Sequence, residues 1–244
     1  MSEVESYSRL AAVYDELVVD DAYPQWAAFL DGLWQHDESG VHVILDVCCG
    51  TGLMVAELVG LGYRVVGTDA SAAMLARARG LLGPDAELSV MALPDLPAGS
   101  MFDAVISTFD GLNYVSPEDF AASVSGLAEI VRAGGWLCFD LHTDTMMQFT
   151  IDNPEVDGEA DGQRYRISSD VDSQTRECVT EITVTQVSDG DTFTERHRQF
   201  FHSDVEVRSA LASAGFSGIA VFDEYTSVPA GPMTMRATWI ARRA

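Results

Sequence analysis

The sequence predicts an α/β fold: a doubly wound, mostly parallel sheet with an antiparallel last strand and an antiparallel β insertion. Three observations predict it. Between residues 41 and 142, short apolar β-branched runs alternate with helical patterns. Beyond residue 160 the pattern becomes runs of strand alternation with an Asp189-Gly190 hairpin signal. The 244 residues are 47% hydrophobic, enough to cover both faces of such a sheet.

The elements follow in order. Residues 7–19 read as an amphipathic helix, with Leu10, Val13, Tyr14 and Leu17 on one face. A second helix is predicted over Pro24–Trp34. Residues 41–47 (VHVILDV) read as a buried parallel strand, followed by a glycine turn and a helix over 51–61. RVVGTD (64–69) is the next strand, and Ser71 caps a helix over 71–82. Strands near 87–91 and 102–108 come next. Ser116-Pro117-Glu118-Asp119 combines a capping hydroxyl, a first-turn proline and two acids at the positive dipole end. Phe120, Val124, Leu127 and Val131 mark the buried stripe of that helix. Gly134-Gly135 is predicted to end it, and 136–142 is a strand.

Residues 143–162 are acidic and read as a mobile loop. Strands are then predicted over 164–171, 176–187 and 192–202. Alternation places Glu195, His197 and Gln199 on one face and Arg196, Arg198 and His202 on the other. Most of these are expected on solvated faces, with one arginine of the insertion free to bind an anionic group. Asp204 is read as the cap of a last helix ended by Gly215, before strands near 218–225 and 233–241. The chain is expected to form a single domain over 1–244. Its parts are an N-terminal helical cap (1–40), a core (41–142), the insertion (160–203), and a C-terminal helix and strands (204–244).

The net charge is −24, from 38 acidic and 14 basic residues, all arginine. Such a field repels phosphate backbones and anionic membranes, so no nucleic-acid or membrane partner is expected. No apolar run approaches the roughly 20 residues of a membrane span, and MSEVESYSRL is unlike a signal peptide, so a cytoplasmic protein is expected. Cys48, Cys49, Cys138 and Cys178 have no zinc spacing and read as packed, reduced thiols.

The chemistry is carried by Asp46-Val47-Cys48-Cys49-Gly50-Thr51-Gly52, which leaves a buried strand and enters a helix. Glycines there let the backbone approach a ligand, and the helix start offers free N–H groups. The dinucleotide pattern G-x-G-x-x-G is not met: Cys48 and Val55 stand at its first and last glycines. The segment instead resembles the D-x-G-x-G-x-G motif of class I S-adenosylmethionine (SAM)-dependent methyltransferases. Asp69 ends the next strand, where an acid would hold a ribose diol. The following ASAAMLARAR resembles the D-x-S-x-x-M-L-x-x-A-R stretch of that family. ELSVMALPDLPAGSMFDAVIST and LAEIVRAGGWLCFDLH extend the resemblance, which covers residues 7–142 and the last helix and strands.

The resemblance implies a Rossmann-like fold, SAM as cofactor and no metal. It implies cofactor contacts from Tyr14, Asp46, Cys48, Gly50, Gly52, Asp69, Ala70, Met74, Met91, Ala92 and Ser107. Met91 stands where relatives carry an acid for the adenine amino group. YSRLAAVYDELVV, STFDGLNYV, FDLH and ERHRQFF are similar to the small-molecule N-methyltransferase branch that includes the TDP-aminosugar N,N-dimethyltransferases. In that branch an N-terminal helix caps the cofactor, and the extra strands cover the substrate or form a dimer interface. A small-molecule substrate, a role in bacterial secondary metabolism and a possible homodimer are the corresponding expectations.

His142, Tyr14 and Tyr114 are the candidate catalytic residues, able to take a proton from the acceptor. Asn113, Tyr114, His142 and His197 are the candidate substrate contacts. His142 and Tyr14 are expected on opposite sides of the transferred methyl. Asp140, His142 and Asp144 alternate as a metal cluster would if the strand ran on, although no metal is expected. The insertion is expected to govern substrate choice or dimerisation, not cofactor binding. The alternatives are a protein or RNA methyltransferase, or a SAM-binding protein without transfer activity.

Overall fold

The computed structural model describes residues 6–18, 22–37, 40–96 and 101–244. A 3-10 turn (Leu10–Ala12) and α1 (Tyr14–Leu17) precede α2 (Tyr23–His36). The core runs through β1 (Val43–Val47), α3 (Leu53–Gly60), β2 (Arg64–Asp69), α4 (Ala72–Leu82), β3 (Glu87–Val90) and β4 (Phe102–Ser107). It continues with α5 (Pro117–Ile130) and β5 (Val131–His142). Next come α6 (Asp144–Asp152), β6 (Glu155–Ala160), β7 (Gln163–Asp172), β8 (Glu177–Gln186) and β9 (Thr192–Phe200). The chain ends on α7 (Asp204–Ser213), β10 (Phe216–Asp223) and β11 (Arg236–Arg243).

Seven strands form one sheet in the order β10-β11-β5-β4-β1-β2-β3. β1 to β5 are parallel, and β11 runs antiparallel between β5 and β10. The predicted doubly wound sheet with an antiparallel last strand is therefore present. β6 to β9 form a separate antiparallel sheet. Apolar residues fill both faces of the large sheet. α5 and α7 pack with Leu45, Val105, Leu137 and Trp239 on one side. Trp26, Leu30 and Trp34 of α2 pack with Ile44, Ile106 and Ile240 on the other. Such two-sided burial is why Val43–Leu45 of β1 and Ala104–Ile106 of β4 are unbroken apolar runs.

Several boundaries differ from the sequence reading. The helix expected over 7–19 is only a 3-10 turn and the four residues of α1. Tyr7 sits at φ 62°, and the N–H groups of Tyr7, Arg9 and Leu10 go to the Glu195 carboxylate, so no continuous helix forms. The acidic stretch 143–162 is not a loop. Thr143 caps α6 by accepting from the N–H groups of Thr145 and Met146, and β6 follows as a fourth insertion strand. Gly134-Gly135 does not end a helix. α5 stops at Ile130, and the glycine pair lies within β5, where a Cβ on Gly135 would stand 2.7 Å from the Asp103 carbonyl oxygen. The cap of α7 is Ser203, not Asp204: Ser203 and Glu206 form a reciprocal capping box. Five residues, 187–191, link β8 and β9, with Gly190 at φ 77°. Among the described residues no helix is long and apolar enough to cross a membrane.

Candidate active site

The carboxyl edge of β1 opens into the glycine loop. Cys48, Gly50 and Gly52 adopt φ of 60°, 55° and 84°. A left-handed backbone is uncommon for a residue with a Cβ, so the cysteine holds its place by context. Gly50 donates its N–H to Asp69 Oδ2 (2.9 Å), and Ser71 donates to Asp69 Oδ1 (2.8 Å). The carboxylate at the end of β2 is thereby locked beside the loop. Burial raises its pKa, and those two hydrogen bonds oppose the rise.

Two adjoining cavities lie over this edge. One, of about 300 Å³, is bounded by Cys48, Gly50, Asp69, Met74 and the rings of Tyr7, Tyr14, Tyr23, Phe109 and Tyr114. The other, of about 350 Å³, is bounded by Val47, Thr68, Met91, Ala92, Leu93 and Phe200. Cys48, Ala70, Gly111 and Tyr114 border both, so the two form one cleft. Gly111 is indispensable to its floor. A Cβ there would stand 2.6 Å from Cys48 Cβ and 2.9 Å from Ser107 Oγ.

The cleft has places for the ribose and base of a nucleoside. Asp46 lies fully buried beneath the loop, and neither carboxylate oxygen meets a hydrogen-bond donor among the described residues. Burial, then the Asp69 charge, pushes its pKa well up. Asp46, a candidate cofactor contact, borders neither cavity: it lies under the loop that lines them. Asp69 would hold a ribose diol, and the cavity bordered by Met91, Ala92 and Leu93 would take an adenine ring.

Not every candidate residue reaches the cleft. Tyr14, Cys48, Gly50, Asp69, Ala70, Met74, Met91, Ala92 and Tyr114 line it. Gly52 instead lets α4 approach: a Cβ there would lie 3.1 Å from Ala78 Cβ. Ser107 is buried beneath Gly111. Asn113 is a buried tie, donating to Phe200 O (2.7 Å) and accepting from His142 N (3.1 Å). His197 stands behind Tyr114, with Nδ1 3.1 Å from its hydroxyl. His142 borders a different cavity of about 320 Å³ with Thr143 and Asp144. Its Nε2 lies 3.7 Å from Asp110 Oδ1, and burial lowers its pKa while Asp110 opposes the drop. The expected placement of His142 and Tyr14 across one reacting centre is therefore not formed.

Of the expected bases, Tyr14 and Tyr114 are protonated, whereas the lowered pKa of His142 leaves its imidazole neutral. Burial raises the phenols of Tyr7, Tyr14 and Tyr114 well above their ordinary value. They keep their protons at neutral pH and act as hydrogen-bonding, aromatic walls. Burial likewise pushes the Cys48 thiol up to about 12, which removes it as a nucleophile. Among the described residues no three His, Cys, Asp or Glu side chains are grouped to hold a metal.

Sequence reasoning missed Tyr7, Tyr23, Phe109 and Gly111. Gly111 lies in the turn that follows β4, a readable sign of close approach. Phe109 and Asp110 have φ of 62° and 53° and are held by a buried ion cluster. Arg236 pairs with Asp110 (3.4 Å) and Asp140 (3.3 Å), and its guanidinium lies 4.5 Å over the Phe109 ring. Gln199 donates to Asp110 and Tyr225 to Asp140. Glu195, on a strand face expected to be mostly solvated, and His197, a candidate substrate contact, are 1% and 2% exposed, with the N-terminal segment covering them.

Comparison with known proteins agrees with this geometry. Residues 44–135 match a family described as a methyltransferase domain. A Geobacillus sp. (strain WCH70) protein, named as a candidate methyltransferase, is 26% identical over 98% of this chain and 100% of its own length. A SAM-dependent methyltransferase from Clostridium acetobutylicum ATCC 824 shares the fold at 20% identity and a TM-score of 0.86, covering 98% and 99% of the two chains. SAM-bound CalS10 of Micromonospora echinaspora, an amino pentose methyltransferase involved in calicheamicin biosynthesis, does so at 22% identity and a TM-score of 0.72, covering 96% and 95%. Residues 44–135 thus carry a methyltransferase domain, the cleft lies over that domain, and the chain as a whole shares the fold of SAM-dependent methyltransferases.

Proposed function

We propose that this protein methylates an amine nitrogen of a small molecule. The carrying observation is the aromatic wall of the cleft, from Tyr7, Tyr14, Tyr23, Phe109 and Tyr114. SAM supplies an electrophilic methyl group on a sulfonium when bound. The chain must then hold the acceptor in line with it and exclude water, which can supply roughly 7–11 kcal/mol. An alcohol acceptor also needs a base, but the wall's buried tyrosines stay protonated and His142 borders another cavity. A neutral amine brings its own lone pair. Aromatic faces and the −24 net charge favour the approach of a cationic amine, which sheds its proton before attack. The covering by residues 6–18 suits a small acceptor better than an RNA or a folded protein. The fold shared with an amino pentose methyltransferase makes an aminosugar of bacterial secondary metabolism the first class to try.

The test is methyl transfer from labelled SAM to a panel of aminosugars, simple amines and matched alcohols. Amines should be labelled, with a rate that rises with pH through the acceptor's own pKa. Labelling of the alcohols alone, or of RNA or protein, would overturn the reading.

A further inference from the structure

Glu195 on β9 is buried, yet most of its hydrogen-bonding partners come from the start of the chain. Its carboxylate accepts from the N–H groups of Tyr7 (2.8 Å), Arg9 and Leu10 (2.9 Å) and from the Ser8 hydroxyl (3.0 Å). Nearby, the Arg9 guanidinium pairs with Asp191 and lies 4.5 Å over the Phe193 ring of the same strand. Inside the β sheet that surrounds it, Glu195 faces His197 Nε2 at 3.7 Å.

The segment so gripped is the outer wall of the cofactor cleft. Ser6, Tyr7 and Tyr14 border the cavity that contains Gly50 and Asp69. The Tyr7 carbonyl accepts from Ser71 Oγ (3.2 Å), and its hydroxyl meets that of Tyr114 at 2.6 Å. Asp15 of α1 accepts from Thr51 of the glycine loop (2.7 Å). Residues 6–18 contain only a 3-10 turn and a four-residue helix. Helices that short do not hold themselves together, so tertiary contacts decide where the segment lies. Glu195 supplies the densest group of those contacts.

We propose that Glu195 is a positioning residue for the cofactor. It clasps residues 7–10 over the cleft, and release of that clasp is the step by which SAM enters and the demethylated product leaves. The insertion then takes part in cofactor retention, contrary to the division of labour its sequence suggests.

Glu195→Gln tests this, because it keeps the shape and removes the charge. Hydrogen exchange of the ligand-free protein should become at least about tenfold faster at the amides of Tyr7, Arg9 and Leu10. Dissociation constants for SAM and its demethylated product should rise about ten- to a hundredfold, as expected for losing one or two charge-assisted hydrogen bonds. The product off-rate should rise with them. Glu181→Gln, on the exposed face of β8, should change neither reading. Native exchange at residues 7–10 in Glu195→Gln would overturn the proposal, as would a released segment with native affinities and off-rate. If that variant fails to fold, the wild type decides: the demethylated product should slow exchange at those amides, and unchanged exchange would sink the clasp.

Discussion

Asp69 shows how one side chain serves the loop and its ligand together. Its two oxygens already accept from Gly50 and Ser71, so the carboxylate is aimed before any cofactor arrives. Asp69→Ala should weaken SAM binding by about ten- to a hundredfold in calorimetry, the scale of a charge-assisted contact. Gly111→Ala should cost about 1–3 kcal/mol of stability and lower cofactor affinity, since the new methyl group overlaps Cys48. A native melting temperature with native affinity would show that the floor can yield. His142→Ala should leave SAM affinity and turnover within a few-fold of native, because the imidazole borders another cavity. A drop nearer the 10²–10⁴-fold cost of a lost general base would restore it to the chemistry.

At the scale of elements, legibility followed how local the cause was. β2 is found at the residues the sequence indicated, and Ser71 and Ser116 cap α4 and α5 as read, because a cap is decided within one turn. The placing of Asp69 and Gly50 at the cleft was legible for the same reason. The N-terminal helix was not, because the acceptor that disrupts it lies 185 or more residues away on β9. His142 was misplaced because a strand end indicates an edge of the sheet but not which cavity along that edge the ring enters. α6 was missed because its acidic stretch resembles a loop until Thr143 caps it. Ser203→Ala tests the cap that displaced Asp204: losing the capping box should cost about 1 kcal/mol in thermal or chemical unfolding. No loss would make the box incidental.

For the whole molecule, charge and pH act together. With a net charge of −24, self-repulsion strains the folded state, so Tm should rise between about 20 mM and about 500 mM NaCl. A fall would mean that exposed attractive pairs such as Arg64–Glu87 are screened more than the repulsion is. Two carboxyls give the pH profile opposite slopes. Burial pushes Asp140 up to about 6 despite Arg236, so its folded form takes up a proton first, and its penalty is relieved as pH falls below that value. Glu195 is held down at about 2: burial is outweighed by the nearby His197 ring and by hydrogen bonds from Ser8, Arg9 and Leu10. Its contribution is full above an unfolded value of about 4.3 and is lost as pH falls toward about 2. The Tm difference between wild type and Glu195→Gln should therefore shrink through that acid window. A constant difference would mean the carboxylate is not what titrates.

The contact between residues 7–10 and Glu195 also orders events during synthesis. The ribosome makes the outer wall of the cleft first and its anchor some 185 residues later. The glycine loop, Asp69 and Met91 all emerge before β9 does. A nascent chain stalled short of Glu195 would thus present the cofactor-binding edge with its wall unfastened. Residues 7–10 of such a chain would be open to a protease. Once β9 has paired with β8, the same residues are withdrawn. Resistance of residues 7–10 to cleavage on stalled chains should appear only when the tether is long enough to bring β9 out of the exit tunnel.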